Sequence, residues 1–187
     1  LPLSIIRCEG WRREQFWEAT GLTWINPSPN MRSLTQALLY PGIGLLETTN
    51  ISVGRGTDTP FEVIGGPWID GPRLAAELRS QGLPGVVFIP IEFTPSTSKH
   101  AGTLCYGINM AITDRQTFEP VACGLAVAAA LHKLHREAWD TKSLNRLLGN
   151  QQLADSILKG LSLEQLVDQA AVDVDAFLTR RQRYLLY

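Results

Sequence analysis

The sequence lacks the features that announce several common classes of protein. Its 17 Lys and Arg residues against 18 Asp and Glu residues give a net charge of -1, so no overall basic field exists to attract a nucleic acid. No GxSxG, HExxH, CxxC pair or P-loop motif occurs in it. The three cysteines, Cys8, Cys105 and Cys123, have neither a zinc-type nor a disulfide-type spacing. We therefore expect no metal ion, no cofactor and no nucleic-acid partner.

Long hydrophobic runs are also missing, since the longest, Val121 to Leu131, is well short of the ~20 residues of a membrane-spanning helix. The chain opens with an apolar segment, Leu1 to Ile6, which we interpret as a strand entered without an initiator Met or a signal-type start. These features indicate the C-terminal part of a larger protein without a membrane span. With 44% hydrophobic residues, residues 1–187 are predicted to form one domain.

Apolar periodicity predicts strands mainly in the first two-thirds of the chain and helices in the last third. Strands are expected at Ile43–Glu47, Phe61–Ile64, Val86–Phe93 and Leu104–Thr113. The last one alternates apolar with small or polar residues from Leu104 onward, which predicts one buried face. Pro90 favours a sheet edge or a bulge. The fold class predicted is α+β, with a mixed or antiparallel sheet.

Capping residues and prolines locate the helices. The expected helices are a short one after Trp11 that ends near Gly21, one capped by Ser33 or Asn30 and stopped by Pro41-Gly42, one from Pro72 to Ser80 with Asp70 as its N-cap, a long one from Pro120 to Trp139, and one opened by the capping-box spacing of Ser162 and Gln165.

Polar side chains are concentrated in a loop at residues 47–57, which follows a predicted strand. Seven hydrogen-bonding side chains lie within the eleven residues that follow Glu47: Thr48, Thr49, Asn50, Ser52, Arg55, Thr57 and Asp58. Gly54 and Gly56 let the backbone approach a ligand closely. An ordinary surface turn has a similar composition. A dinucleotide fingerprint is disfavoured, because Thr59 stands in place of the third Gly and no helix follows.

Among the carboxylates, Glu47 is the strongest candidate for acid/base chemistry, because it lies at the mouth of this loop. Asp70 is better explained as an N-cap and Glu92 as a residue on the exposed face of a strand. His100, in the hydroxyl-rich connection at 94–102, is a candidate ligand contact or an exposed loop histidine. Trp68 fits either stacking on a sugar or a place in the core.

Several segments in order carry a resemblance to a known family. They are Gly10-Trp11-Arg12-Arg13, Trp24-Ile25-Asn26-Pro27-Ser28-Pro29-Asn30, Leu38-Leu39-Tyr40-Pro41-Gly42, the stretch from Glu47 to Thr57, Pro67-Trp68-Ile69-Asp70, Phe93-Thr94-Pro95-Ser96-Thr97-Ser98-Lys99 and the terminal Arg183-Tyr184-Leu185-Leu186-Tyr187. Together they resemble the C-terminal half of the bacterial exo-β-N-acetylmuramidase family, formerly a domain of unknown function.

The resemblance implies an exported peptidoglycan-recycling enzyme, extracellular or periplasmic, that removes N-acetylmuramic acid from the non-reducing ends of glycan fragments. It also implies a Rossmann-like N-terminal domain, absent from this chain, that carries the principal catalytic glutamate and forms a cleft with this half. The matching motif positions are Asn26, Ser28, Asn30, Glu47, Thr49, Asn50, Arg55, Gly56 and Thr57. Two positions depart from the family, Thr48 where many relatives have Gly and Ala111 where His is expected.

We accordingly predict the substrate-binding half of a glycosidase, with a saccharide derived from peptidoglycan as its ligand. Arg55 would pair with the lactyl carboxylate of muramic acid, because a guanidinium binds a carboxylate bidentately. Thr49, Asn50 and Asn26 would bond sugar hydroxyls or the acetamido group. A non-catalytic sugar-binding module is the chief alternative, and a purely structural domain that supports the N-terminal half is the third.

Overall fold

The computed structural model describes residues 2–172 and 174–186. Leu1, the first residue of one predicted strand, lies outside them. The regular elements of the described residues are α1 (Leu34–Ile43), β1 (Val63–Gly66), α2 (Gly71–Ser80), β2 (Val86–Phe93), β3 (Cys105–Ile112), α3 (Pro120–His135), α4 (Asn145–Leu148), α5 (Gln151–Leu158), α6 (Leu163–Ala171) and α7 (Val174–Arg181), with 3₁₀ turns at Trp17–Thr20, Gly44–Leu46 and Gln182–Tyr184.

The three strands form one antiparallel sheet in the order β1, β3, β2. The register of β3 places Asn109 opposite Val63 on one side and opposite Ile89 on the other. β2 is therefore an edge strand, and Pro90 lies in it, which confirms the edge predicted from that proline. Helices follow the sheet in the chain, so the predicted α+β class is confirmed and the sheet is antiparallel.

Two details of the predicted strands are wrong. Phe61 has a φ of 65°, a left-handed conformation that cannot belong to a strand, and β1 therefore starts two residues later than predicted. On β3, Ile108 and Met110 are buried as expected, whereas Tyr106 is 37% exposed and the preceding Leu104 is 45% exposed. The core covers the middle of the predicted apolar face and leaves its first end open.

The predicted strand at Ile43–Glu47 is also wrong, because α1 runs through Pro41 to Ile43 and continues as the 3₁₀ turn. Leu39, Ile43 and Leu46 are at most 1% exposed, and their spacing of four and three residues puts them on one helical face. Burial of that face outweighs the single backbone hydrogen bond that proline removes.

Helix α1 crosses α3 at two glycines, Gly42 and Gly124. A Cβ atom on Gly42 would overlap the backbone carbonyl of Pro120, and one on Gly124 would overlap the carbonyl of Gly42. The two backbones are therefore in direct contact at this crossing. This contact sets how α1 enters the 3₁₀ turn, and so sets where residue 47 begins the polar loop.

The helix caps follow the sequence signals. Ser33, and not Asn30, caps α1 by accepting a hydrogen bond from the backbone N–H of Gln36. Asp70 caps α2 in the same manner through Arg73, and Ser162 with Gln165 forms the predicted capping box of α6. These predictions are confirmed, because each depends on residues within one turn of the helix.

Before α1 the chain is an arm, residues 2–33, with little regular structure. Pro2 to Ile6 form no strand, and the helix predicted after Trp11 is reduced to the 3₁₀ turn Trp17–Thr20, which ends at Gly21 as expected. Leu3, Ile6 and Ile25 are at least 79% exposed. At the other boundary, α3 ends at His135 and not at Trp139. Among the described residues no helix is long and apolar enough to cross a bilayer.

Replacing Gly42 with Ala tests the helix crossing. The added methyl overlaps the backbone of Pro120, so we expect Gly42→Ala to lower the free energy of unfolding by about 1–3 kcal/mol or more. Gly44→Ala is the matched control, because its methyl meets only the half-exposed ring of Tyr40 and should change stability by less than about 0.5 kcal/mol. Denaturant unfolding measures both, and equal stabilities would contradict the crossing.

Candidate functional site

The polar loop at residues 47–57 leaves a helical turn and not a strand. Glu47 follows the 3₁₀ turn Gly44–Leu46 with helical backbone angles, which corrects its predicted place at a strand end. Further along, Ser52 and Gly65 exchange two backbone hydrogen bonds of 2.8 and 3.0 Å. The loop is therefore fastened to the open side of β1, next to the sheet.

Glu47 and Arg55 form a bidentate ion pair across this loop. The Nε atom of Arg55 donates to Oε1 of Glu47, and its Nη2 atom donates to Oε2 at 3.1 Å. The two side chains are 23% and 30% exposed, respectively. The guanidinium carbon lies 5.1 Å from the ring centre of Phe61, and Tyr40 packs against that ring edge-on at 4.8 Å. The pair is therefore held by an aromatic support.

A second loop, residues 94–104 between β2 and β3, packs on the first. Ser96 donates through both its backbone N–H and its hydroxyl to the carbonyl oxygen of Gly56, each at 2.8 Å. Gly56 has a φ of 84°, and a Cβ there would overlap Thr97. Only glycine suits this position, since a side chain would separate the two loops.

Lys99 and His100 reach the first loop from the second. The Lys99 ammonium donates to the backbone carbonyl of Glu47, and Nε2 of His100 lies 2.8 Å from the carbonyl oxygen of Asn50. Lys99 was not among the predicted site residues. The sequence indicated Lys99 only through its position beside His100, at the end of a segment shared with the family. Its contact with Glu47, 52 residues away, leaves no local pattern in the sequence.

Backbone strain is concentrated at this junction. Among the described residues, Phe61, Ser98 and His100 are the non-glycine residues with positive φ, at 65°, 68° and 59°. Ser98 and His100 lie in the second loop, and Phe61 lies four residues after the end of the first. Such conformations cost on the order of 1–3 kcal/mol each and are found preferentially at functional sites.

The charges of the site are one carboxylate and two cations. Burial lowers the pKa of Lys99 below its ordinary value; Glu47 opposes this shift, and the nearby Arg55 adds to it. Since Arg55 already forms an ion pair with Glu47, the ammonium of Lys99 is the less compensated cation. The described residues contain no cluster of three His, Cys, Asp or Glu side chains that could hold a metal ion.

Thr49 and Asn50, two predicted sugar contacts, bond the segment after α3. The buried hydroxyl of Thr49 donates to the carbonyl of Leu46 at 2.9 Å and accepts from Nε1 of Trp139 at 3.1 Å. The Asn50 amide donates to the Ala138 carbonyl and accepts from the Asp140 N–H, both at 2.8 Å. These side chains anchor the loop, and their contact with a sugar stays a prediction.

The other predicted residues are spread around this junction. Thr57 turns back on the loop, where its hydroxyl donates to the Gly54 carbonyl at 2.7 Å. The Trp68 ring packs edge-on to His135 at 5.7 Å, and its Nε1 atom is buried without a hydrogen-bond partner. Gly66 lies between Trp68 and His100, since a Cβ there would be 3.2 Å from Trp68 Nε1 and 3.5 Å from His100 Nε2.

Three predicted contacts, Asn26, Ser28 and Asn30, lie in the arm. Asn26 accepts from Nε1 of Trp24 at 3.0 Å, and the Ser28 hydroxyl accepts from the Asn30 N–H at 3.3 Å. The structure thus brings together Glu47, Asn50, Arg55, Gly56 and His100. The three arm residues instead form hydrogen bonds with near neighbours in the sequence. Their roles in binding a ligand remain predictions.

The fold is shared with solved structures. Two DUF1343 family proteins from Bacteroides fragilis NCTC 9343 are each 26% identical to this chain. One superposes with a TM-score of 0.83 over 95% of this chain and 49% of its own length, and the other with 0.67 over 87% and 43%. The chain therefore shares its fold with about half of each of these two DUF1343 family proteins.

Sequence comparison gives the family. Residues 38–187 match the C-terminal part of exo-beta-N-acetylmuramidase NamZ, and residues 1–35 match the N-terminal part. The peptidoglycan beta-N-acetylmuramidase NamZ of Bacillus subtilis (strain 168) is 40% identical over 188 residues, which cover 99% of this chain and 45% of that protein. The chain belongs to the exo-beta-N-acetylmuramidase NamZ family, as its motifs indicated, and it spans about half the length of this relative.

The substitution Thr49→Val tests whether Thr49 anchors the polar loop or binds the sugar. It keeps the shape but leaves Nε1 of Trp139 without its acceptor, so we expect a loss of about 1–3 kcal/mol in the free energy of unfolding. The matched control is Thr48→Val, which removes a hydroxyl bonded to the Ser143 carbonyl at the surface and should cost less than about 1 kcal/mol. If Thr49→Val is as stable as the wild type and only ligand affinity falls, the anchoring role is wrong.

Proposed function

We propose that this chain forms the substrate-binding half of an exo-acting glycosidase that releases N-acetylmuramic acid from the non-reducing ends of peptidoglycan fragments. Two points support the proposal: membership of the exo-beta-N-acetylmuramidase NamZ family, and 40% identity to a relative named as a peptidoglycan beta-N-acetylmuramidase. Such a substrate lies outside the cytoplasmic membrane, so the proposed location is extracellular or periplasmic.

One observation carries the proposal, the cluster of Glu47, Arg55 and Lys99 at the junction of the two loops. Glycosidases of the usual kind act with two carboxyl groups on either side of the bond that is cleaved. Glu47 supplies one carboxylate, held in a fixed orientation by a guanidinium. The second would come from the N-terminal half of the family's architecture, whose match ends at residue 35 of this chain.

The roles of the surrounding groups follow from where they lie. Glu47 acts as the second acid/base or as a carboxylate that stabilises the positive charge of the transition state. Arg55 and Lys99 are the two cations that can meet the lactyl carboxylate of muramic acid. The loop backbone, fixed by Gly56 and the anchors at Thr49 and Asn50, holds these groups in position without movement of the domain.

The substitution Glu47→Gln tests the assigned chemistry. It keeps the size of the side chain but removes its charge, so in the full-length protein we expect kcat on a chromogenic β-N-acetylmuramide to fall roughly 100-fold or more. Ligand affinity should change little. Glu92→Gln, the same replacement at an exposed residue of β2, is the control and should keep wild-type kcat.

Single-turnover kinetics and a ligand titration on one preparation distinguish the alternatives. A near-normal kcat in Glu47→Gln removes Glu47 from catalysis. A loss of ligand affinity as large as the loss of kcat assigns it to loop anchoring instead. A wild-type full-length protein that binds the sugar saturably but never turns it over is a binding module, the second candidate function.

The chain by itself should fold and yet be inactive. Its core is continuous from α1 to α6, whereas the site contains one of the two carboxyl groups that hydrolysis requires. We expect a cooperative unfolding transition and no release of chromophore from the isolated chain. Turnover by a preparation free of contaminating glycosidases would show that the active site is complete within these 187 residues.

A further inference from the structure

Arg55 is the more constrained of the two cations in the site. Its Nε and Nη2 atoms are both engaged by Glu47, and its guanidinium lies over the ring of Phe61. Phe61 is itself fixed, since it is 1% exposed and has a left-handed backbone. Glu47 therefore fills the Nε–Nη2 edge with which arginine binds a carboxylate bidentately, and it compensates the charge of the guanidinium.

Lys99 has bonding capacity left over. An ammonium group has three N–H donors, and here one of them meets the carbonyl oxygen of Glu47. Among the described residues no carboxylate forms an ion pair with Lys99, because the pairs present are Arg32–Asp58, Arg55–Glu47, Arg115–Glu18 and Lys133–Glu77. Lys99 thus presents free donors at the junction of the loops.

The backbone around Lys99 fixes the position of its side chain. The residues on either side of it, Ser98 and His100, both have positive φ, and the loop is held to Gly56 by two hydrogen bonds from Ser96. A strained backbone on both sides of a half-buried lysine is maintained only when the surrounding structure fixes it. Rotation of this loop segment would take the ammonium away from Glu47.

The net charge of the cluster formed by Glu47, Arg55 and Lys99 favours an anionic ligand. Glu47 contributes one negative charge and Arg55 with Lys99 two positive charges, which leaves one positive charge without a partner. Burial lowers the pKa of Lys99, and a half-buried cation of this kind is stabilised by an anion. Muramic acid differs from glucosamine by one lactyl carboxylate, which matches this single charge.

We propose that Lys99 is the specificity-determining residue that binds the substrate's carboxylate, and that Arg55 is a positioning residue that orients Glu47. This inference rests on the proposed function, and it departs from the pairing of Arg55 with the lactyl group predicted from the sequence. In it the ammonium bridges the carbonyl of Glu47 and the carboxylate of the sugar, so recognition of the acid places the sugar directly beside the Glu47 carboxylate.

The test compares N-acetylmuramic acid with its methyl ester, in which the carboxylate is neutralised by one added methyl group. Isothermal titration of the full-length wild type should show the acid binding roughly tenfold or more tightly than the ester. In Lys99→Met the two affinities should become about equal, and in Lys99→Arg the preference for the acid should persist. Lys99→Gln replaces Lys99→Met if the latter does not fold.

Arg55 should behave differently in the same assays. Arg55→Met should keep the preference for the acid while kcat on the chromogenic muramide falls roughly tenfold or more with little change in KM. Arg55→Lys should recover part of that kcat, because an ammonium can still pair with Glu47. Purely structural damage would lower stability and affinity for both ligands together.

Three outcomes overturn the inference and are distinguishable. If folded Lys99→Met retains the preference for the acid and Arg55→Met loses it, Arg55 is the carboxylate receptor and the assignment is reversed. If the wild type binds neither the acid nor the ester, the proposed function fails, and this inference fails with it. An equal affinity of the wild type for both ligands rejects a charge-selective site while leaving a muramidase without such selectivity in place.

Discussion

The ion pair between Glu47 and Arg55 is the interaction on which the site depends. It closes the polar loop across eight residues, and a half-buried bidentate pair of this kind fixes both partners in one geometry. Removing either partner leaves the other charge half-buried and unpaired, which costs more than the pair itself contributes. The loop therefore has one arrangement in which its charges are satisfied, and the strained backbone of Phe61 belongs to it.

The rest of the fold holds this arrangement from several sides. The helix crossing at Gly42 directs the chain into Glu47. Thr49 and Asn50 form hydrogen bonds with the segment after α3, and the backbone of Ser52 pairs with the sheet. The second loop covers the first through Gly56. Anchors on separate elements hold the loop in place, which is the condition for a side chain to act at a reacting centre.

Features set by near neighbours in the chain were predictable, and features set by distant ones were not. The cap at Asp70, the capping box at Ser162 and the edge strand marked by Pro90 each follow from a few adjacent residues, and the structure has all of them. The continuation of α1 through Pro41 depends on burial against α3, and the left-handed Phe61 depends on contacts of Arg55 and Tyr40. The polar loop was visible in the sequence as a concentration of polar residues. The contact of Lys99 with Glu47 was not, because 52 residues separate them.

The most direct test of the proposed site is a crystal structure of the full-length protein with N-acetylmuramic acid bound. We predict the sugar at the junction of the 47–57 and 94–104 loops, with its lactyl carboxylate within about 3.5 Å of Nζ of Lys99 and the Glu47–Arg55 pair intact beside the sugar ring. A sugar bound away from both loops, or one whose carboxylate displaces Glu47 from Arg55, would contradict it.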